Sequence, residues 1–189
     1  MGAVDLDRAA AVRQALRTLV GQRGFHGASM SAIAAEAGVA TGTAYTHYGS
    51  KDDLVLAAYL ETKAELSAAV TTQIDPEADA AERFRGMWLA SYRHLASKPG
   101  HARFLLQVDS SPYRARAYEA LAREGDPILE QAATPALAAR LLPLPLDVLY
   151  ELGLAPAVRL AASGTELSDA ELETISDACW RAVTRPSRT

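Results

Sequence analysis

Small, polar and closely spaced residues concentrate between Ser29 and Leu54. Thr41-Gly42-Thr43 opens a short helical run. Small side chains there let a helix tip enter a major groove and point backbone amides at phosphate. Tyr45 and His47 project from the following turn, whereas Tyr48 is expected to pack inward. Lys51 stands in the first turn of the next helix, where an ammonium can neutralise a phosphate. Ser29 supplies a hydroxyl suited to cap the helix before the turn. The chemistry on offer is non-covalent, and its natural partner is double-stranded DNA.

Covalent chemistry has far less to work with. No H-E-x-x-H, C-x-x-C, G-x-S-x-G, Walker or G-x-G-x-x-G pattern occurs. His26, His47, His94 and His101 fit no ligand spacing, so neither a metal nor another cofactor is expected. Cys179 shares a helix face with Ile175 and Val183 and reads as a packed core thiol. An enzyme is therefore not expected.

The elements that must position these groups are helices. Ala and Leu total 63 residues against 14 for Val and Ile, which favours helix over sheet throughout. Val12, Ala15, Leu16, Leu19 and Val20 mark a first helix over about 6–22. Met30, Ile33, Ala34 and Ala37 form a short apolar face ended by Gly38, with Val39 as a buried plug before the next helix. Two short helices split by a glycine-led turn are the helix-turn-helix signature. Ser50 caps a long helix over about 50–73, with Asp53 in place of the usual Glu of a capping box, and Asp52 and Asp53 complement its dipole.

Further helices follow. One carries Phe84, Met87, Trp88, Tyr92 and Leu95, and a shorter one carries Phe104, Leu105 and Val108. Another runs from Tyr113 to about Ala133, interrupted at Gly125-Asp126-Pro127. A helix over about 144–162 is kinked by Pro156. Ser168-Asp169-Ala170-Glu171 forms a capping box for the last, over about 168–185. The fold class is all-α, with about nine helices by periodicity.

Composition sets the remaining bounds. With 189 residues, 49% hydrophobic and 22% charged, the chain can bury a sizeable core. The single cysteine allows no internal disulfide. No secretory signal opens the chain, and the apolar stretch from Leu141 to Ala162 carries Asp147, Glu151, Arg159 and three prolines. A cytoplasmic protein without membrane attachment is expected.

The run Gly24-Phe25, Ser29-Met30, Ile33-Ala34, Ala37-Gly38-Val39, Gly42-Thr43-Ala44-Tyr45-Thr46-His47-Tyr48, Ser50-Lys51 and Leu54 resembles the DNA-binding head of TetR-family transcriptional regulators. The resemblance implies an N-terminal three-helix helix-turn-helix domain over 1–50. It implies a C-terminal helical ligand-binding and dimerisation domain over 51–189. The implied function is a ligand-responsive regulator, a repressor released from a palindromic operator by a small, mostly apolar molecule. Each protomer of a homodimer reads one half-site. At matching positions, Ser29, Thr41, Gly42, Thr43, Tyr45, His47 and Lys51 are the implied DNA contacts.

Several positions depart from the family pattern. Ala40 stands where a serine cap is common, Ser31 where arginine is common, and Thr41 where a basic residue is common. Five basic residues (Arg8, Arg13, Arg17, Arg23, Lys51) and five acidic ones (Asp5, Asp7, Glu36, Asp52, Asp53) leave residues 1–54 with no net charge. The recognition helix lacks Arg, Lys, Asn and Gln, so specificity is expected to lean on threonine methyls and DNA shape. These departures support an alternative, a helical small-molecule-binding protein whose DNA binding is weakened or lost.

In the C-terminal half, Trp88, Tyr92, Phe104, Gln107, Tyr113 and Tyr118 concentrate aromatic and amide groups where the family places its ligand pocket. Leu149, Leu152, Leu172, Ile175, Trp180 and Val183 cover more than one face of the last two long helices. A helix apolar on two faces needs a second partner. The resemblance assigns those helices to the dimer interface.

Overall fold

A computed structural model describes residues 3–75, 77–126, 128 and 134–186. Among them are eleven α-helices and no strand. They are α1 (Ala3–Arg23), α2 (Met30–Glu36), α3 (Thr41–His47), α4 (Lys51–Thr71), α5 (Ala80–Ser97), α6 (Pro99–Asp109), α7 (Arg114–Glu124), α8 (Pro135–Arg140), α9 (Leu146–Gly153), α10 (Ala155–Ser163) and α11 (Asp169–Val183). The count exceeds nine for two local reasons. Thr134 caps an extra short helix, with Pro135 in its first turn. The stretch expected to kink at Pro156 breaks instead at Leu154, and Pro156 sits in the first turn of α10. Proline has no N–H to lose there, so starting a helix costs nothing that kinking one would. Gly125, at φ +88°, follows the end of α7. The continuation expected to Ala133 falls largely outside the described residues.

The chain divides into two compact units, and the division falls within α4. The first comprises residues 1–63 and 100–124. In it α1, α2 and α3 pack on one another. Val12, Leu16, Val20, Ile33, Ala44, Leu54, Val55 and Phe104 are wholly buried. The apolar spacing of α1 is met, since Ala15 and Leu19 are buried beside them.

The second unit comprises residues 64–99 and 125–189. There α5 packs on α10 and α11. Ala155, Ala157, Val158, Ala161 and Ala162 form the buried face of α10, and side chains this small permit close helix approach. Cys179 is buried. Arg85 bridges to Asp177 at 2.8 Å and Arg93 to Asp169 at 3.0 Å, joining α5 to α11 on the surface. Exposed pairs of this kind contribute at most about 1 kcal/mol each. Capping boxes start α5 (Asp79 with Glu82) and α11 (Ser168 with Glu171). Just past the end of α11, Arg185 N donates to Arg140 O at 2.9 Å, and Leu142 N donates to Val183 O at 2.8 Å.

Candidate nucleic-acid interface

The turn between α2 and α3 follows from local rules. The Ser29 side chain accepts from Ala32 N at 3.2 Å and starts α2. Gly38 takes φ +67°, which lets Gly38 N reach Ala35 O at 3.1 Å and Val39 N reach Ala34 O at 2.9 Å. This paired closure ends a helix tightly and requires the left-handed conformation that glycine adopts without strain. Val39 is half-buried rather than a fully buried plug. Ala40 is the N-cap of α3 and offers no side-chain bond. Missing caps cost local stability of about 1 kcal/mol.

α3 is anchored by its inner face. Ala44 is wholly buried and Tyr48, just past the helix end, is buried as its spacing predicts. Tyr48 Oη donates to Ala9 O at 3.1 Å and accepts from Arg13. Thr41, Gly42, Tyr45 and Thr46 are exposed, while Thr43 and His47 are half-buried on the flanks. Tyr45 is 50% exposed, so its ring is not a core aromatic.

Behind Tyr48 lies a part-buried ionic cluster, of which Arg17 is the buried member. Glu61 of α4 receives Arg13 Nη2 at 2.5 Å and Arg17 Nη1 at 2.7 Å, both from α1. Burial works against the Glu61 carboxylate, but the hydrogen bonds from Arg13 and Arg17 outweigh it and hold its carboxyl below the usual range.

The first turn of α4 is tied on two sides. Lys51 Nζ donates to Phe25 O at 2.5 Å and lies 5.9 Å from the Phe25 ring centre. Burial pushes the Lys51 ammonium down from its ordinary value. Asp52 accepts from Tyr113 Oη at 2.9 Å and from Arg116 Nη1 at 2.5 Å. The Phe25 ring lies 4.8 Å from that of Tyr113. Asp52 therefore does more than complement the helix dipole. It joins the start of α4 to the segment around the start of α7, a pairing no local pattern announces.

The hydrogen bond from Arg116, with that from Tyr113, holds the Asp52 carboxyl below its ordinary value. With the folded pKa below the unfolded one, the unfolded chain binds more protons in acid. The Asp52 contribution is present above the ordinary carboxylate range and is lost as pH falls through the lowered folded value. Both partners are half exposed, so an Asp52→Asn variant is expected to lose less than about 1 kcal/mol near neutrality. Urea titrations at several pH values test this: the gap to the parent closes in acid, and a gap independent of pH contradicts the assignment.

Comparison with known proteins gives this geometry its context. The family model for "Bacterial regulatory proteins, tetR family" matches residues 12–58, which span α1 to α4. A second model, "Tetracyclin repressor-like, C-terminal domain", matches residues 80–184, more than half of the chain. The chain belongs to the TetR family. It is a transcriptional regulator with a DNA-binding helix-turn-helix.

A curated TetR-type relative from Haemophilus influenzae, described as an uncharacterized HTH-type transcriptional regulator, is 27% identical over 94% of this chain and 96% of its own. A crystal structure of a TetR-family transcriptional regulator from Haemophilus influenzae is 26% identical, with a TM-score of 0.74 over 97% of this chain and 100% of that one. One from Marinobacter aquaeolei has a TM-score of 0.80 at 22% identity, over 98% of this chain and 100% of that one, and shares the fold.

The remaining residues singled out for a TetR-family pocket and interface fall as follows. Trp88 and Tyr92 lie in the second unit, both buried, with rings stacked at 6.1 Å and 9°. Phe104, Gln107, Tyr113 and Tyr118 lie in the first. Phe104 is wholly buried, Gln107 is exposed, and Tyr113 and Tyr118 are half-buried. Burial raises the Tyr118 phenol to about 12, helped by the charge of Asp109. In the second unit, Leu172 and Val183 face the unit's own core, whereas Leu152 is exposed. Leu149, Ile175 and Trp180 are half-buried, with Trp180 packed on Phe84 at 5.4 Å. Leu144, Leu146 and Val148 are also exposed, Leu146 to 61%. Among the described residues, no helix is long and apolar enough to cross a membrane.

Proposed function

We propose that this regulator is a repressor whose homodimer holds a palindromic operator and releases it when a small, mostly apolar molecule binds. The observation that carries the DNA reading is α3: its inner face is anchored by Ala44 and Tyr48 while Thr41, Gly42, Tyr45 and Thr46 remain exposed. Ser29, Thr41, Gly42, Thr43, Tyr45, His47 and Lys51 form the proposed contact surface. Lys51 acts there from a position set by the Phe25 carbonyl.

The exposed apolar run of Leu144, Leu146, Val148 and Leu152 supports a second copy of the chain as partner of the second unit. Leu149, Leu172, Ile175, Trp180 and Val183 belong to the same proposed interface helices. Two recognition helices about 34–36 Å apart meet successive major grooves. Trp88, Tyr92, Phe104, Gln107, Tyr113 and Tyr118 are the proposed effector-responsive residues. The effector favours a state in which the spacing is wrong, and α4 carries the change. An effector that bound both states equally would shift nothing.

A mobility-shift titration against duplex from the protein's own upstream region tests the proposal. A head without net charge predicts a shallow salt dependence, of order two to four phosphates neutralised per protomer. A slope steeper than about six per protomer contradicts the proposed contact set. No retained duplex at any salt favours the alternative, a small-molecule-binding protein that has lost its operator.

A further inference from the structure

The exposed face of α3 carries hydroxyls but none of the side chains that most often read bases. Arginine or lysine on guanine and asparagine or glutamine on adenine are the common direct readouts. The sequence of α3, TGTAYTH, contains none of these. Thr46 is exposed, but its hydroxyl hydrogen is already committed: Oγ1 donates to Gly42 O one turn back, at 2.9 Å, and can serve a base only as an acceptor. Beside that acceptor oxygen, the side chain's other group is its methyl, which suits the C5-methyl of thymine. Gly42, the acceptor of that bond, is exposed as well, and a Cβ added there would meet nothing within 4 Å. Its backbone is not in the left-handed region either. The fold therefore gives no reason for glycine at this point in a helix, where alanine is the better former. A surface that must come very close to it supplies the reason.

We infer that Thr46 reads thymine through methyl–methyl contact, and that Gly42 clears the space for the thymine-bearing strand to approach α3. This rests on α3 being the DNA-reading helix. The ligand class it specifies is a half-site with thymine at the position facing Thr46. Readout there is by the C5-methyl group and not by a hydrogen bond to the base edge.

Selection of bound duplexes from a random pool with the full-length protein supplies the probe. Each thymine of one selected half-site is then replaced in turn by deoxyuridine, which removes only the methyl. One such replacement is expected to weaken binding about fourfold, the worth of one buried methyl. Thr46→Ser, which keeps the hydroxyl bond, is expected to weaken the thymine duplex by the same factor and to show no further loss on the uracil duplex. Thr46→Val keeps a methyl and is expected to bind as the parent does. Gly42→Ala is expected to raise the melting temperature of the free protein and to lose duplex binding.

Indifference to uracil at every thymine overturns the inference while leaving the DNA reading intact. So does loss of binding in Thr46→Val but not in Thr46→Ser, which would assign readout to the hydroxyl. Failure to retain any duplex from the pool removes the proposed function and this inference with it.

Discussion

Glu61→Gln is expected to destabilise the first unit by about 3 kcal/mol, read as a lower urea midpoint. The reason is not the value of the ion pair itself. Arg17 is almost wholly buried, at 4% exposure, and its guanidinium has Glu61 Oε2 at 2.7 Å as its one carboxylate partner among the described contacts. Ala58 O and Thr62 Oγ1 stand at 3.4 Å and Gln14 Oε1 at 3.2 Å, too long and too weakly charged to replace it. Removing the carboxylate strands a charge away from water, which costs more than the pair contributed.

A paired replacement, Arg17→Met with Glu61→Leu, is expected to recover most of the loss, because neither charge is then left alone. Arg13 shares Glu61 with Arg17 and also bonds Tyr48, so the single variant is expected to loosen the end of α3 and weaken duplex binding. A Glu61→Gln midpoint equal to the parent's would show that water or rearrangement satisfies Arg17, and would end this account.

The second large effect is expected at Trp88. Its side chain has no exposed surface and stacks on Tyr92, whose hydroxyl donates to Thr165 O at 3.2 Å. Trp88→Ala removes a large buried ring from α5 where it packs on α10 and α11. Substitutions of this kind cost about 3–5 kcal/mol, part for lost burial and part for the cavity left behind. Denaturant titration followed by far-ultraviolet circular dichroism measures it. A loss under about 1.5 kcal/mol would show that the site repacks easily. That outcome would contradict the reading of Trp88 as a mainstay of this unit's core.

Much of the helical framework was legible because it is local. Ser29, Ser50 and Ser168 cap where their spacing says, since a hydroxyl oxygen at the N-cap lies within reach of the amide three residues on. Gly38 turns the chain because glycine takes the left-handed φ of +67° without strain. The periodicity of α1 and the inward placement of Tyr48 follow from which residues share a helical face. Pro156 was legible as a disruption but not as a helix start. The same residue serves both roles, and packing of the alanine face that follows chooses between them.

Helix, caps and turn were thus determined by the order of residues alone, since each depends on partners within about one turn. The tertiary structure decided which charges meet. Arg13 and Glu61 are 48 residues apart, and Asp52 and Arg116 are 64 apart. A charged side chain on a helix carries no local mark of its partner, because pairing depends on how helices cross and not on periodicity. For that reason Lys51, Asp52 and Arg17 could be assigned only once the path of the chain brought Phe25, Arg116 and Glu61 to them.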